Sequence, residues 1–84
     1  MRVTFKLFAT LQDYLPAEAH STNALQIELP EGTTVQQLIE RFGLPQQSCK
    51  LVLVDGVYIP PAERADRVLR DSATVAIWPP IAGG

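Results

Sequence analysis

One amphipathic helix, with strand-like segments on both sides of it, limits the folds open to this chain. Its apolar residues recur at helical spacing and form a single stripe, which comprises Val35, Leu38, Ile39 and Phe42. Thr33, with Gln36 three residues later, predicts a capping box at the start, and Gly43 and Pro45 predict the end. A single stripe needs one apolar surface to pack on, and a small β-sheet provides it.

The strand-like segments surround this helix. Alternating or β-rich runs occupy residues 2–9, 25–29, 51–54, 57–59 and 73–78. Asp55-Gly56 predicts a tight hairpin between the third and fourth runs, whereas Leu11–Leu15 predicts one helical turn and residues 16–23 predict a loop. The order β-β-α-β-β-β predicts an α+β fold of the β-grasp, or ubiquitin-like, kind. We therefore expect a small mixed β-sheet with one main amphipathic helix packed on one face.

Composition limits the class of protein. We predict one domain over residues 1–80, followed by a flexible C-terminal diglycine tail at residues 81–84. The single Cys49 excludes an intrachain disulfide, so packing has to stabilise the fold. A net charge of −2 without charged runs argues against nucleic acid and against an electrostatic membrane anchor. Since no transmembrane-length apolar stretch or signal-like start is present, we expect a soluble, cytoplasmic protein.

Two large aromatic residues fall on the sheet face opposite the predicted helix. Phe8 and Trp78 have the opposite parity to the apolar residues of the first and last strands. These strands are neighbours in a β-grasp sheet, so the two rings are expected to form one patch, with Tyr58 at its border. Exposed aromatic clusters mark protein interfaces, which makes these residues candidates for partner binding. The alternative is that residues 16–24 fold over the rings.

The sequence ends with Trp78, Pro79, Pro80, Ile81, Ala82, Gly83 and Gly84. The two prolines hold the backbone extended, and the two glycines allow another protein to approach closely. We therefore predict that the last four residues, from Ile81 onward, insert into a narrow slot of a partner. They would present the terminal carboxylate of Gly84 there.

The rest of the chain lacks the parts of an active site. His20, the only histidine, lies in a predicted loop, and nothing nearby lowers the pKa of Cys49. In the charged segment 62–71, Val68 and Leu69 are expected to anchor the chain. The Glu63-Arg64 and Asp66-Arg67 pairs are expected to be solvated or to contact a partner.

We expect no metal and no cofactor bound by this chain, and we expect Gly84 to serve as a substrate. Adenylation would activate its carboxylate, and a sulfur nucleophile would then displace AMP and leave a thiocarboxylate.

The ending from Trp78 to Gly84 resembles the aromatic-Pro-Pro-aliphatic-small-Gly-Gly terminus of the MoaD/ThiS family of ubiquitin-like sulfur carriers. It is closest to the molybdopterin synthase small subunits. The opening Val3–Ala9 with Leu11 is similar to that family's first strand, and Val54–Ile59 is similar to its central strand-turn-strand. Trp78 stands where Phe is more usual, and the loop at residues 16–23 is longer than the minimal family version.

The resemblance implies a non-catalytic sulfur carrier. A MoeB-like, E1-like enzyme would use ATP to adenylate Gly84, which would then become a thiocarboxylate. The tail would enter the MoaE-like large subunit of molybdopterin synthase, which holds the active site. Sulfur would pass there to precursor Z (cyclic pyranopterin monophosphate) in molybdenum cofactor biosynthesis. Partner contacts would come from Phe8, Tyr58, Trp78, Pro79 and Pro80.

Three alternatives stay open. The chain could be a ThiS-like carrier for thiamine thiazole, or a carrier for another sulfur-containing metabolite, although the aromatic residue and the prolines favour the molybdopterin branch. It could also be a ubiquitin-like modifier joined through Gly84 to lysines of other proteins. The third alternative is a plain β-grasp interaction module with an incidental tail.

Overall fold

A computed structural model of the chain describes residues 1–80, which form a five-stranded mixed sheet with one α-helix. The strands are β1 (Arg2–Leu7), β2 (Ala24–Glu28), β3 (Leu51–Val54), β4 (Val57–Tyr58) and β5 (Thr74–Trp78). Helix α1 comprises Val35–Arg41. Four 3₁₀ helices occupy Ala9–Tyr14, Ala17–Ala19, Gln46–Ser48 and Pro61–Glu63. The predicted fold class, an α+β β-grasp, is confirmed, whereas the tail at 81–84 lies outside the described residues.

The strand order is β2-β1-β5-β3-β4. The central pair, β1 and β5, is parallel and pairs Phe5 with Val75 and Leu7 with Ile77. The other pairings are antiparallel, including the long-looped hairpin of β1 and β2. The first and last strands of the chain therefore lie side by side in the middle of the sheet.

One face of the sheet, called here the inner face, carries the core. Its strand residues Val3, Phe5, Leu7, Val52, Val75 and Ile77 are all 0% exposed. The predicted apolar stripe of α1 packs on this face, and the ring of Phe42 lies 4.7 Å from that of Phe5 between centroids, at 52°. Helix α1 therefore encloses the apolar residues that alternate along the strands.

The start of α1 lies one residue later than the sequence predicted. The side chain of Thr34, not Thr33, accepts a hydrogen bond from the Gln37 N–H at 3.2 Å. The Gln37 side chain accepts from the Thr34 N–H at 2.9 Å, which completes the capping box. Two consecutive threonines precede two consecutive glutamines, so both registers satisfy the sequence pattern. Thr33 instead donates its hydroxyl proton to the Pro30 carbonyl at 2.7 Å.

The end of α1 follows the prediction. Gly43 has φ +68°, in the left-handed region that favours glycine. The N–H groups of Gly43 and Leu44 donate to the carbonyls of Glu40 and Ile39, at 3.0 and 3.2 Å. This is a Schellman motif, and it turns the chain back towards the sheet.

The predicted hairpin between β3 and β4 is present. Asp55 and Gly56 both have positive φ, 50° and 83°, as a type I′ turn requires. The Asp55 carboxylate accepts from the Thr74 N–H at 2.9 Å and so ties the turn to β5. Strand β4 ends at Tyr58, although the N–H of buried Ile59 still donates to the Val52 carbonyl at 2.8 Å.

Two segments differ from the sequence-based expectation. Residues 16–23 contain a short 3₁₀ helix, and Ala19 from it joins the core. Of the two residues expected to anchor the charged segment, Leu69 is buried, but Val68 is 51% exposed. Val68 instead forms a backbone bridge with Thr34, and its side chain points away from the core that Leu69 enters. Within residues 1–80, no helix is long and apolar enough to cross a membrane.

Candidate functional site

The aromatic pair on the other face of the sheet is formed by Phe8 and Trp78. Leu7 pairs with Ile77, and the N–H of Phe8 donates to the Ile77 carbonyl at 3.2 Å, which extends the parallel ladder by one residue. The rings of Phe8 and Trp78 stack with centroids 4.4 Å apart and planes at 5°. Both side chains remain partly exposed. The pairing of β1 with β5 therefore produces the aromatic patch that parity predicted.

A wider apolar surface extends from this pair. Leu51 lies opposite Trp78, Leu53 lies opposite Ala76, and Tyr58 lies opposite Leu53. Residues opposite each other in a sheet share a face, so all of these side chains lie on the face away from α1. We call this set the outer apolar surface: Phe8, Leu51, Leu53, Tyr58, Ala76 and Trp78. Leu51 and Tyr58 are 38% and 48% exposed, which is high for large side chains in strands.

The predicted partner-binding residues are arranged unevenly on this surface. Phe8 and Trp78 stack, whereas Tyr58 lies on the same face but is separated from Trp78 by β3. Pro79 and Pro80 directly follow Trp78 at the end of β5, and Pro80 is exposed. Ile81, Ala82, Gly83 and Gly84 lie outside the described residues. The structure thus places the outer apolar surface at the root of the tail.

Sequence reasoning missed Leu51 and Leu53. The run Leu51–Val54 is apolar at every position, so its alternation is hidden. Only the pairing register with β5 shows which residues of β3 lie on the outer face. Leu51 pairs with Trp78, whereas Val52 pairs with the buried Ile77. A strand with apolar residues on both faces is typical of a sheet covered on both sides. Here the chain's own helix covers only the inner face.

The loop between β1 and β2 leaves the aromatic rings of Phe8 and Trp78 partly exposed. Leu15 and Ala19 from this region join the core on the inner side. Its polar groups bond locally: Gln12 donates to the His20 carbonyl at 2.8 Å, and the His20 ring contacts the Leu15 carbonyl at 2.9 Å. His20 therefore lies in the loop, as predicted, and helps to hold it together.

The sequence-based expectation that the Glu63-Arg64 pair is solvated is wrong for Arg64. Its side chain is 2% exposed, and it donates to the carbonyls of Ile59 at 3.1 Å and Cys49 at 2.8 Å. Because a guanidinium is always charged in proteins, Arg64 is a buried cation. It joins the chain after β4 to the chain before β3. The remaining nitrogen, Nη2, has no hydrogen-bond partner within residues 1–80.

Cys49 is also buried, and its Sγ lies 3.5 Å from the Pro45 carbonyl. Burial raises the pKa of the Cys49 thiol above its ordinary value of 9.0, although the positive charge of Arg64 opposes the shift. A thiol with a raised pKa is a poor nucleophile at neutral pH. Among residues 1–80, no group of three or more His, Cys, Asp and Glu side chains is placed to hold a metal ion.

The sheet order, the single helix on one face and the uncovered apolar surface beside the C-terminal strand together define a ubiquitin-like β-grasp protein. Comparison with known proteins then identifies the family. Residues 5–84 match the ThiS family, and the chain belongs to it. Members of this family are small ubiquitin-like carrier proteins and not catalytic domains. A search of curated proteins gives no match to this chain.

Two solved proteins illustrate the similarity. One, from Pyrococcus furiosus and provisionally named molybdopterin converting factor, subunit 1, is 26% identical with a TM-score of 0.65. The alignment covers 95% of this chain and 98% of that one. SAMP1 from Haloferax volcanii is 17% identical over the full length of both chains, with a TM-score of 0.66. A second structure of this small archaeal modifier protein, 17% identical, covers 95% and 98% with a TM-score of 0.62. At this identity, the likeness to SAMP1 concerns the fold alone.

Proposed function

We propose that the chain is a sulfur carrier of molybdenum cofactor biosynthesis, the small subunit of a molybdopterin synthase. The observation that carries this proposal is the stacked Phe8–Trp78 pair, which lies directly before Pro79 and Pro80. Other proteins must bind the C-terminus of a carrier. An aromatic docking surface directly before a proline-stiffened tail that ends in glycine suits this purpose. The membership of the ThiS family supports the carrier role.

The chemistry takes place at Gly84. A carboxylate is a poor electrophile, because its charge is delocalised and oxide is a poor leaving group. In the activating enzyme, a carboxylate oxygen attacks the α-phosphate of ATP, and pyrophosphate leaves. A persulfide sulfur then attacks the carbonyl carbon and expels AMP, and a thiol reduces the resulting acyl disulfide to the thiocarboxylate. ATP is a substrate of the activating enzyme, so this step requires no cofactor bound by the chain itself.

The two partners would use the chain in turn. A MoeB-like enzyme of the E1 class adenylates Gly84, and a MoaE-like large subunit accepts the thiocarboxylated tail. Within that large subunit, two thiocarboxylated tails in turn each transfer one sulfur atom to precursor Z, and the two sulfur atoms form the dithiolene of molybdopterin. Pro79 and Pro80 keep the chain extended between the outer apolar surface and residues 81–84, so that docking and tail insertion occur together.

The molybdopterin branch is favoured by two observations. The Pyrococcus furiosus protein, the more similar of the two in sequence, carries a molybdopterin name. The aromatic residue followed by two prolines is the ending that resembles the molybdopterin branch. A carrier for thiamine thiazole is the second candidate, because the family match covers that branch as well.

Deletion of Gly83 and Gly84 tests the proposal. We expect the truncated chain to lose sulfur transfer to precursor Z completely, while its melting temperature stays unchanged, because two terminal glycines add nothing to the core. Affinity capture with the intact chain in its host should recover a molybdopterin synthase large subunit. Unimpaired cofactor synthesis after truncation contradicts the carrier role, whereas recovery of a thiazole synthase in place of the large subunit favours the second candidate.

A further inference from the structure

A cavity beside the outer apolar surface is lined by the buried Arg64, which has no carboxylate partner among residues 1–80. It has a volume of about 460 Å³, and its lining includes Lys50, Tyr58, Gln46, Gln47 and Arg64. The ion pairs found within residues 1–80 join Met1 and Arg2 to Glu28 and Glu31, and none involves Arg64. Burial of a charge is costly unless other groups compensate it. Two backbone carbonyls partly compensate Arg64, and Nη2 has no partner there.

The cavity is continuous with the outer apolar surface through Tyr58, which belongs to both. It also lies next to the root of the tail, because the N–H of Lys50 donates to the Trp78 carbonyl at 3.0 Å. A partner that covers the outer apolar surface and holds the tail therefore has to pass over the mouth of this cavity.

The charges on this side of the sheet are complementary to an acidic partner. Lys6 lies on the outer face beside Ala76, and the exposed Lys50 lies at the cavity. The outer-face carboxylate of Glu28 is held by Arg2 at 2.9 Å, at the end of the sheet away from Trp78. Although the whole chain has a net charge of −2, Lys6 and Lys50 therefore place two cations beside the end of the outer face that carries Trp78.

We propose that the Arg64 cavity receives a carboxylate side chain of the E1-like activating enzyme when that enzyme docks on the outer apolar surface. The inference rests on the proposed function and deepens it, because it names the charge that the activating enzyme must present. We choose this enzyme because adenylation is common to the molybdopterin and thiamine branches. A carboxylate at this position gives Arg64 and Lys50 an anionic partner once docking has excluded water.

The test is the steady-state kinetics of adenylation, with the intact chain as the varied substrate of the activating enzyme encoded in the same genome. Lys50→Glu should raise the KM for the chain by about tenfold, with kcat unchanged, because it weakens docking but leaves Gly84 intact. It should also reduce the dependence of KM on ionic strength. Arg41→Glu is the matched control, since Arg41 is exposed on α1, which packs on the other face, and it should leave KM unchanged.

Two further variants complete the design. Arg64→Gln should raise KM more than Lys50→Glu does, and its folding is checked by circular dichroism. If it fails to fold, Lys50→Glu decides the question. Trp78→Ala tests the docking surface itself. A raised KM for Trp78→Ala together with a Lys50→Glu value equal to that of Arg41→Glu overturns the inference and leaves the proposed function standing. No adenylation of the wild-type chain overturns both.

Discussion

The two faces of the sheet carry similar apolar side chains but bury them to different degrees. On the inner face, Phe5 and Val52 are 0% exposed beneath helix α1. On the outer face, Leu51 and Tyr58 are 38% and 48% exposed, and the Phe8–Trp78 pair is only partly covered. A helix on one side of a sheet completes the fold, so the apolar residues of the other side are available to another molecule.

The largest loss of stability is expected for a substitution on the inner face. Phe5→Ala should lower the free energy of unfolding by about 3–5 kcal/mol, because it leaves a cavity beneath Phe42. Phe8→Ala should cost only about 1 kcal/mol, since it removes a partly exposed ring and one stacking contact. Urea denaturation of both variants measures the difference. Equal losses would show that the outer aromatic pair stabilises the fold as much as the core does. The two faces would then not differ in their contribution to stability.

A smaller loss of stability is expected at the start of helix α1, which covers the inner face. Thr34→Ala should lower the free energy of unfolding by about 1 kcal/mol, because it removes the capping bond to the Gln37 N–H. Thr33→Ala is the control, since it removes only one exposed hydrogen bond to Pro30. Urea denaturation of the two variants should give the greater loss for Thr34→Ala. The reverse order would favour the register that the sequence suggested.

The smallest effect depends on pH and concerns the buried Cys49 at the edge of the core. Because burial raises the pKa of this thiol above 9.0, the folded state keeps its proton at a pH where the unfolded state has lost it. The contribution of Cys49 to stability is therefore full below the unfolded pKa and is lost as the pH rises through the higher folded pKa. Reduced wild-type protein should lose more stability than Cys49→Ala between pH about 8 and about 10 in urea titrations. Equal losses would contradict a desolvated thiol.

Much of the inner face could be predicted from local patterns. Alternation in β1 and β5, the stripe of α1 and the Asp55-Gly56 turn each depend on residues close in sequence. The placement of Phe8 beside Trp78 needed one further step, which is the parallel pairing of the first and last strands of a β-grasp sheet. These predictions succeeded because the periodicity of each segment and the strand order of the fold class together determine which residues share a face.

The features that were missed depend on contacts between distant parts of the chain. Arg64 is expected at the surface like most arginines, and only the carbonyls of Cys49 and Ile59 make its burial possible. The capping residue could not be decided because Thr33 and Thr34 fit the same motif. Val68 and Leu69 are both apolar, but neighbouring residues of an extended segment point in opposite directions, so only Leu69 reaches the core.

We propose that the folded body presents the carboxylate of Gly84 to other proteins. The most direct test is the intact mass of the chain purified from its native host under conditions that preserve thiocarboxylates. We expect a population heavier by the difference between one sulfur and one oxygen atom, with the added mass located in the C-terminal peptide. A single unmodified mass in cells that are actively making molybdenum cofactor, or the added sulfur located at Cys49, would contradict the account.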